Sequence, residues 1–495
     1  MESVQNQIAV FTATGAERLE RPAYTALLIA ATTASGYLVA KGGLAAATGF
    51  IFLPFLIFYL VKLFKCPAIG LITILVWSFL GIGLKRYTFA LFGGGKLGLA
   101  IDALLLLTFI ALLLNNFYQL NWKPLKNGIT VVVFIWFLYN VLQIFNPETA
   151  STTAWFFAVR GVALYMLAMI PLTLLLFNKR KYLDLFIWLW LALSFFGLLW
   201  GLKQQLIELD FAEKIWIADP RNSSTHLLHG KLRVFSFYTD AGQFGAAQGH
   251  AGIAALILAL GPGKWFKKIG YGIVGLLCIW GLMISGTRGA LIVPFIGAVV
   301  YLCLSKNWKL LISGVILLIF VYSFFRFTYI GQGVYAIGRM RDAIHQGADV
   351  PSLQARIRNQ KLLSAYLENK PFGGGVGSAG YWGMRFNPDS FLAQTPTDSW
   401  YVRIWAEEGI IGLYLHIGML LYILVVGGQN VLRIRDPDLR QKIMALYAGV
   451  WGIAVASYGN QILGQMPTGI VVYISMAFLF LAPQFDSPQK IKGDL

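Results

Sequence analysis

The stretch 276–302, LLCIWGLMISGTRGALIVPFIGAVVYL, is almost wholly apolar, yet it carries Arg288 near its middle. An arginine at the centre of a bilayer-spanning helix costs about 2.5–3.5 kcal/mol on insertion scales. Gly286 and Thr287 come directly before the arginine and favour a tight turn. The stretch therefore predicts two membrane-spanning helices, 268–285 and 288–305, with Arg288 at the membrane face where they meet.

The composition extends this interpretation to the whole chain. Of the 495 residues, 57% are hydrophobic and 13% are charged, whereas soluble proteins carry about 25% charged residues. We predict an all-α polytopic membrane protein with about 12–14 transmembrane helices, since each span needs about 17–25 apolar residues. The predicted spans are 24–40, 43–62, 67–84, 98–115, 128–146, 155–177, 183–202, 242–260, 268–285, 288–305, 309–327, 409–427, 444–461 and 466–483.

The basic residues predict the orientation of these spans. Lys and Arg concentrate in alternate short loops, among them 123–126, 179–181, 264–268 and 433–442. The positive-inside rule places those loops and both termini in the cytoplasm. The net charge of +18 therefore reflects topology, and no nucleic-acid partner is expected. The chain is interpreted as one transmembrane domain, 1–495.

Two long connections then face outward, a medium loop at 203–241 and a large loop at 328–408. Arginines gather on this face, and each one alone could be a solvated or snorkelling side chain. Together they suit a lipid-linked phosphate or pyrophosphate, because the guanidinium fork binds phosphate bidentately. They are Arg160, Arg233, Arg288, Arg339, Arg341, Arg356, Arg358, Arg385 and Arg403.

The large loop carries an amphipathic helix, predicted at 352–369, and then a glycine-rich turn, 373–377. The glycines either end the helix or let backbone N–H groups approach an anion. Asp398 precedes a late span and either caps that helix or acts as a general base on a sugar hydroxyl. Glu407 and Glu408 are further candidates for the base.

Other polar residues have less specific interpretations. His226 and His229 are expected to be solvated loop residues. Asp102 lies inside an apolar span and is expected to pair with Lys85, Arg86 or Lys96. The remaining outward acids are scattered along the sequence, so no metal site is predicted; they are Asp240, Asp342, Asp349, Asp389 and Asp398.

Three motifs occur in a fixed order: SGTRGAL at a span junction, ARIRNQKLLSAYLENKPFGGGVGSAG in the large loop, and TDSWYVRIWAEEGIIGL entering a late span. With RVFSFYTDAGQFGA before a mid-chain span, this order over about 155–430 resembles the O-antigen ligase and O-antigen polymerase superfamily of bacterial envelope glycosyltransferases. The ligases of that family carry a histidine followed by Asn, Ser or Gln, then nine residues, then Gly-x-x-Gly, and Asp398-Ser399 precedes Gly409–Gly412 here with the same spacing. Asp398 replaces the histidine here, which points to a polymerase or to a branch with a carboxylate base.

The resemblance implies a membrane glycosyltransferase of the bacterial inner membrane. Its donor would be a glycan on undecaprenyl pyrophosphate at the outer leaflet, and its partners the bilayer and a chain-length regulator. Asp398, Arg233 and Arg288 would be catalytic, with no metal and no cofactor. The donor would be bound by further residues, namely Arg160, Arg356, Arg358, Arg403 and Glu408. A ligase that transfers glycan to a lipid-anchored core or a protein is the alternative, and a transporter or lipid flippase is a third possibility.

Overall fold

The computed structural model describes residues 2–93, 97–116, 121–149, 151–228, 230–331, 333, 337–338, 341, 345 and 351–486. The chain divides into two compact units, Met1–Pro67 and Ala68–Leu495. The first unit is formed by helix α1 (Glu2–Lys65), which is broken at Gly43, where φ is 60°. Glycine adopts positive φ without a steric penalty, which explains why the helix breaks at this residue. The break falls at the predicted boundary between the first two spans.

The second unit consists of helices joined mostly by short loops. Its long helices are α2 (Ala68–Phe92), α3 (Ala100–Asn116), α4 (Gly128–Leu142), α5 (Thr152–Leu176), α6 (Arg180–Leu206), α7 (Ala241–Ala259), α8 (Trp265–Ile284), α9 (Ile292–Ser305), α10 (Trp308–Phe327), α11 (Pro351–Leu367), α12 (Trp400–Arg433), α13 (Pro437–Ala456) and α14 (Thr468–Asp486). Four short helices lie in the loops: Phe211–Ile217, Pro220–His226, Gly380–Phe386 and Phe391–Gln394. A two-residue hairpin pairs Leu227–Leu228 with Lys231–Leu232.

The all-α polytopic fold is confirmed. Among the described residues, nine helices are long and apolar enough to cross a membrane. Helices α7 and α13, of 19 and 20 residues, are largely buried and pack against each other and against α14 inside the bundle. Polar side chains such as Gln243, Gln248 and His250 reduce the hydropathy of α7, and they are tolerated there because they are buried against protein.

The loops of the second unit meet at two opposite ends of the bundle. At one end, which we call the basic end, Arg180 pairs with Asp436 at 2.6 Å. Arg440 of α13 donates to the Leu304 carbonyl at 3.1 Å, also at this end. Hydrogen bonding to Arg180 lowers the pKa of Asp436 to about 2. The other end, which we call the motif end, carries Thr287, Asp398 and the medium loop.

Arg86 anchors the medium loop to α2. Its guanidinium is buried and donates to the carbonyls of Ser236, at 2.5 Å, and Tyr238. It also lies over the rings of Trp216 and Phe235, at 4.4 and 4.5 Å from their centroids. The prediction that Asp102 pairs with Lys85, Arg86 or Lys96 is therefore wrong for Arg86, whose guanidinium binds the medium loop.

An Arg86→Ala variant is expected to lose about 2–4 kcal/mol of stability, because two buried carbonyls lose their donor and two rings lose their cation. The apparent melting temperature of the purified protein should fall by several degrees. Protease cleavage within 203–241 should become faster. The exposed neighbour provides the control, since Lys85→Ala should change neither quantity. Equal melting temperatures for the two variants would contradict the anchoring role.

Candidate active site

A polar cavity of about 180 Å³ opens at the motif end of the second unit. Three segments that are distant in sequence line it: the start of α7, the residues before α12, and the connection between α13 and α14. The lining residues are Asp240, Gly242, Gln243, Thr397, Asp398, Asn460, Gln461, Ile462 and Gln465. Carboxylates and amides can position sugar hydroxyls by hydrogen bonding, so the cavity has the chemistry of a glycan site.

Asp398 is a cavity carboxylate and does not cap α12. The N-cap is Ser399, whose hydroxyl accepts from the Val402 amide. The Asp398 side chain is 50% exposed, and its Oδ2 lies 3.6 Å from Arg356 Nε. An ion pair this exposed contributes little to stability. The capping interpretation is therefore wrong, and a half-exposed carboxylate remains at the cavity beside a guanidinium.

Hydrogen bonds hold the three segments of the cavity together. Gln461 donates its amide to both the carbonyl and the hydroxyl of Thr397, the latter at 3.1 Å. Gln465 accepts at Oε1 from the Thr239 hydroxyl at 2.9 Å. The Trp400 amide donates to the Ser457 carbonyl at 2.9 Å. The position of Asp398 is thereby fixed relative to the loop that follows α13.

Asp240 is a second cavity carboxylate, for which the sequence pattern indicated no role. Its Oδ1 accepts from the Gln243 amide at 2.9 Å and so caps α7. The Thr239 hydroxyl oxygen lies 3.2 Å from its Oδ2. The acids treated as scattered are thus partly brought together, since Asp240 and Asp398 line one cavity. The sequence feature that could have indicated this role of Asp240 is the TDAGQ segment, in which the aspartate precedes a predicted span.

Arg233 connects the medium loop to the residue before Arg288. Arg233 donates from Nη2 to Thr287 Oγ1 at 2.7 Å and from Nη1 to the Thr225 carbonyl at 2.9 Å. The Thr287 hydroxyl in turn donates to the Ala241 carbonyl at 3.1 Å, next to Asp240. The medium loop, the α8–α9 junction and the start of α7 are therefore linked at one place.

Arg288 begins a tight turn, Arg288–Leu291, between α8 and α9. A methyl group placed on Gly289 would lie 2.9 Å from Nδ2 of Asn460, which lines the cavity. The expectation that Arg288 sits at a junction of two helices is confirmed. The structure brings this turn to the cavity that Asp398 lines.

Other predicted site residues lie elsewhere. Arg160 is the first residue of a π-helical turn of α5, Arg160–Leu164. Its guanidinium pairs with Asp102 of α3 at 2.5 Å. The Tyr165 hydroxyl donates to the same carboxylate at 3.0 Å. Arg160 thus supplies the partner that was expected from Lys85, Arg86 or Lys96, of which Lys96 lies outside the described residues.

Arg403 and Glu408 lie on α12 beyond the cavity lining. Arg403 pairs with Glu407 at 3.2 Å. Glu408 is fully buried, and its carbonyl accepts from the Tyr139 hydroxyl at 2.7 Å. Arg358 is exposed on α11. Of the predicted donor-binding residues, the structure places Arg356 beside Asp398. Arg339, Asp342 and Asp349 fall outside the described residues.

The glycine-rich turn holds a carboxylate of the chain itself. It packs on the break in α12 at Gly409, where φ is 71° and a methyl group would lie 2.0 Å from the Pro371 carbonyl oxygen. The Gly374 amide donates to the Ala406 carbonyl at 2.9 Å, and the Ala379 amide donates to Glu407 Oε1 at 3.2 Å. The turn follows α11, as the helix-stop alternative expects, and the Ala379 amide two residues beyond it contacts the Glu407 carboxyl group.

His226 is buried, so its interpretation as a solvated residue is wrong. Its Nδ1 lies 2.8 Å from the Asn222 carbonyl oxygen, and its Nε2 accepts from the Ala241 amide at 3.4 Å. Burial lowers the pKa of the imidazole, so the ring is neutral at pH 7. His226 therefore supports the medium loop against α7. His229 lies outside the described residues.

An apolar groove of about 430 Å³ runs between α12 and α13. Tyr401, Trp405, Trp451 and Tyr458 line it together with leucines of α12. Val402 lines both this groove and a small pocket that contains Arg356 and Asp398. An apolar surface thus leads to the charged pair at the edge of the polar cavity.

A comparison with protein families matches the part of the chain that carries Arg288, Arg356 and Asp398. The model of the O-antigen ligase family matches residues 273–417. The match supports the resemblance of the chain to the O-antigen ligase and polymerase superfamily. The match supports a membrane glycosyltransferase of the ligase or polymerase type. No curated protein matches the chain.

The O-antigen ligase segment contains only part of the cavity. Arg288, Arg356 and Asp398 lie within 273–417. Arg233, Asp240 and the 460–465 loop lie outside it, although the loop and Asp240 line the same cavity as Asp398. The surroundings of the O-antigen ligase motifs are therefore completed by segments on both sides of the matched region.

Proposed function

We propose that the chain transfers or polymerises oligosaccharide repeat units from an undecaprenyl-pyrophosphate donor on the extracytoplasmic face of a bacterial inner membrane. The observation that carries this proposal is the apolar groove that meets the polar cavity at Arg356 and Asp398. A lipid-linked sugar has the same arrangement of chemistry: an apolar chain, a charged junction and a polar glycan. The isoprenoid would occupy the groove and the glycan the cavity.

The reaction would be a displacement at the anomeric carbon. The acceptor hydroxyl oxygen bonds to that carbon, the bond to the pyrophosphate oxygen breaks, and the hydroxyl proton passes to Asp398. Charge develops on the leaving pyrophosphate, where fixed cations are most effective. Arg288 and Arg233 would supply that charge, since Gly289 of the turn that Arg288 begins adjoins Asn460 of the cavity and Arg233 donates to Thr287 just before that turn. Arg356 lies beside Asp398 at the junction.

The deciding experiment uses the purified protein in liposomes with the undecaprenyl-pyrophosphate oligosaccharide isolated from the organism that encodes the chain. A ladder of added repeats on a gel would establish a polymerase, for which a chain-length regulator is the expected partner. A single transfer to an added lipid-anchored or peptide acceptor would establish a ligase. Unchanged lipid-linked sugar with both acceptors present would contradict transfer and favour the transporter alternative.

The proposed mechanism requires no metal ion. Among the described residues, no group of three or more His, Cys, Asp or Glu side chains could hold one, and Asp240 already caps α7. Glycan transfer is expected to continue in excess EDTA at an unchanged initial rate, because the proposed arginines supply the positive charge that the leaving pyrophosphate needs. Loss of transfer that a divalent cation restores would show that Asp240 and Asp398 act through a metal.

The proposed orientation places the motif end outside and both termini in the cytoplasm. It is supported by the concentration of Lys and Arg in loops of the basic end. A single cysteine introduced at Thr225, which is exposed on the medium loop, should react with a membrane-impermeant maleimide in intact spheroplasts. The control is a cysteine at Asn307, exposed at the other end, which should react only after permeabilisation. The reverse pattern would invert the topology.

A further inference from the structure

A groove of about 800 Å³ opens at the basic end, away from the candidate active site. The first half of α6, the start of α8 and the start of α13 form its walls. Its inner part is apolar and includes Leu191, Ala192 and Val274, and its mouth carries lysines and two aspartates. Apolar depth below a charged mouth is the shape that an amphiphile requires.

The charges at the mouth leave an excess of positive charge. Lys442 pairs with Asp184 at 2.6 Å and with Asp438 at 2.5 Å, so both lining carboxylates already have a cation. The other lining lysines, at 264, 267 and 268, form no ion pair with a carboxylate within the described part of the chain. The mouth is thus complementary to an anion.

Exposed aromatic side chains locate the mouth at a membrane interface. Trp265 is 73% exposed and Phe266 is 52% exposed, both in the first turn of α8. Trp188, on the groove wall, is 65% exposed. Tryptophan is enriched at the level of lipid head groups. The lysines beside these rings therefore stand where the phosphates of a leaflet lie.

We propose that this groove binds one anionic phospholipid. An acyl chain lies along Leu191, Ala192 and Val274, and the phosphate head group lies between Lys264, Lys267 and Lys268. Each basic residue near an anionic leaflet contributes attraction, and three around one groove give selectivity for head-group charge. The site is separate from the proposed glycan chemistry and does not depend on it.

The test is lipid binding measured by native mass spectrometry on purified wild-type protein, with phosphatidylglycerol and phosphatidylethanolamine of identical acyl chains in equal amounts. Wild-type protein should retain phosphatidylglycerol preferentially. In the triple variant Lys264→Gln, Lys267→Gln, Lys268→Gln, the ratio of bound phosphatidylglycerol to bound phosphatidylethanolamine should fall about tenfold. The matched control is Lys179→Gln, Lys181→Gln, Lys309→Gln, which removes the same charge from exposed positions outside the groove and should keep the preference.

A second variant tests the apolar part of the site. Ala192→Phe places a ring in the groove and leaves the lysines unchanged, so it should weaken retention of phosphatidylglycerol several-fold. The proposal is overturned if the triple variant keeps the wild-type preference, if the control loses as much, or if Ala192→Phe binds phosphatidylglycerol as wild type does. Addition of inorganic phosphate should not displace the lipid, since the acyl chain supplies part of the affinity.

Discussion

An Arg288→Ala variant is expected to transfer glycan about 100-fold or more slowly than the wild type, while it still inserts and folds. Arg288 begins the α8–α9 turn, and the next residue adjoins Asn460 of the polar cavity. Removal of one fixed group that stabilises developing charge typically costs about 10²–10³ in rate. The measurement is the initial rate of glycan transfer in liposomes, at matched protein levels and melting temperatures.

The control for this variant is Arg385→Ala, which removes an exposed arginine of the large loop and should retain the wild-type rate. Arg233→Ala should lose activity in the same direction, because Arg233 donates to Thr287 beside the cavity. Arg288→Lys should recover only part of the rate, since an ammonium lacks the bidentate fork. Wild-type rates in both Arg288→Ala and Arg233→Ala would exclude a role for Arg288 and Arg233 in charge stabilisation.

Asp398→Asn is expected to lower the rate by about 10²–10⁴-fold, the usual contribution of a positioned general base. Stability should be almost unchanged, because the side chain is half exposed and Ser399 caps α12. Asp389→Asn is the control, since Asp389 is an exposed carboxylate of the same loop. Rates and melting curves of the two variants separate loss of chemistry from loss of fold.

Asp240, the second cavity carboxylate, allows a direct test of which of the two aspartates is the general base. Asp240→Asn preserves the cap of α7, because asparagine is as good an N-cap as aspartate. If Asp398→Asn is active and Asp240→Asn is not, the base is Asp240 and the assignment to Asp398 is wrong. If only Asp398→Asn is inactive, the proposed role of Asp398 stands.

The features that the sequence predicts well depend on local composition. The apolar stretches locate the helices, and the α8–α9 junction follows from one arginine after a glycine and a threonine. Gly43 marks the break in α1, because a residue with positive φ favours glycine. The amphipathic helix, predicted at 352–369, occurs at Pro351–Leu367. Each of these signals lies within a few residues of the feature that it predicts.

The features that the sequence analysis missed depend on packing between distant segments. Asp102 pairs with Arg160, 58 residues away, and Arg86 binds carbonyls 150 and 152 residues away. Periodicity carries no information about such partners. For the same reason Asp240, a helix cap by its local pattern, could not be placed beside Asp398.

The cavity has a consequence for the biosynthesis of the protein. The wall at Asn460–Gln465 lies between α13 and α14, so the ribosome makes it after every other segment of the site. A nascent chain that has already inserted its O-antigen ligase motifs still lacks this wall. The cavity is therefore complete only after residues 460–465 have been made and have packed against the start of α7 and the residues before α12.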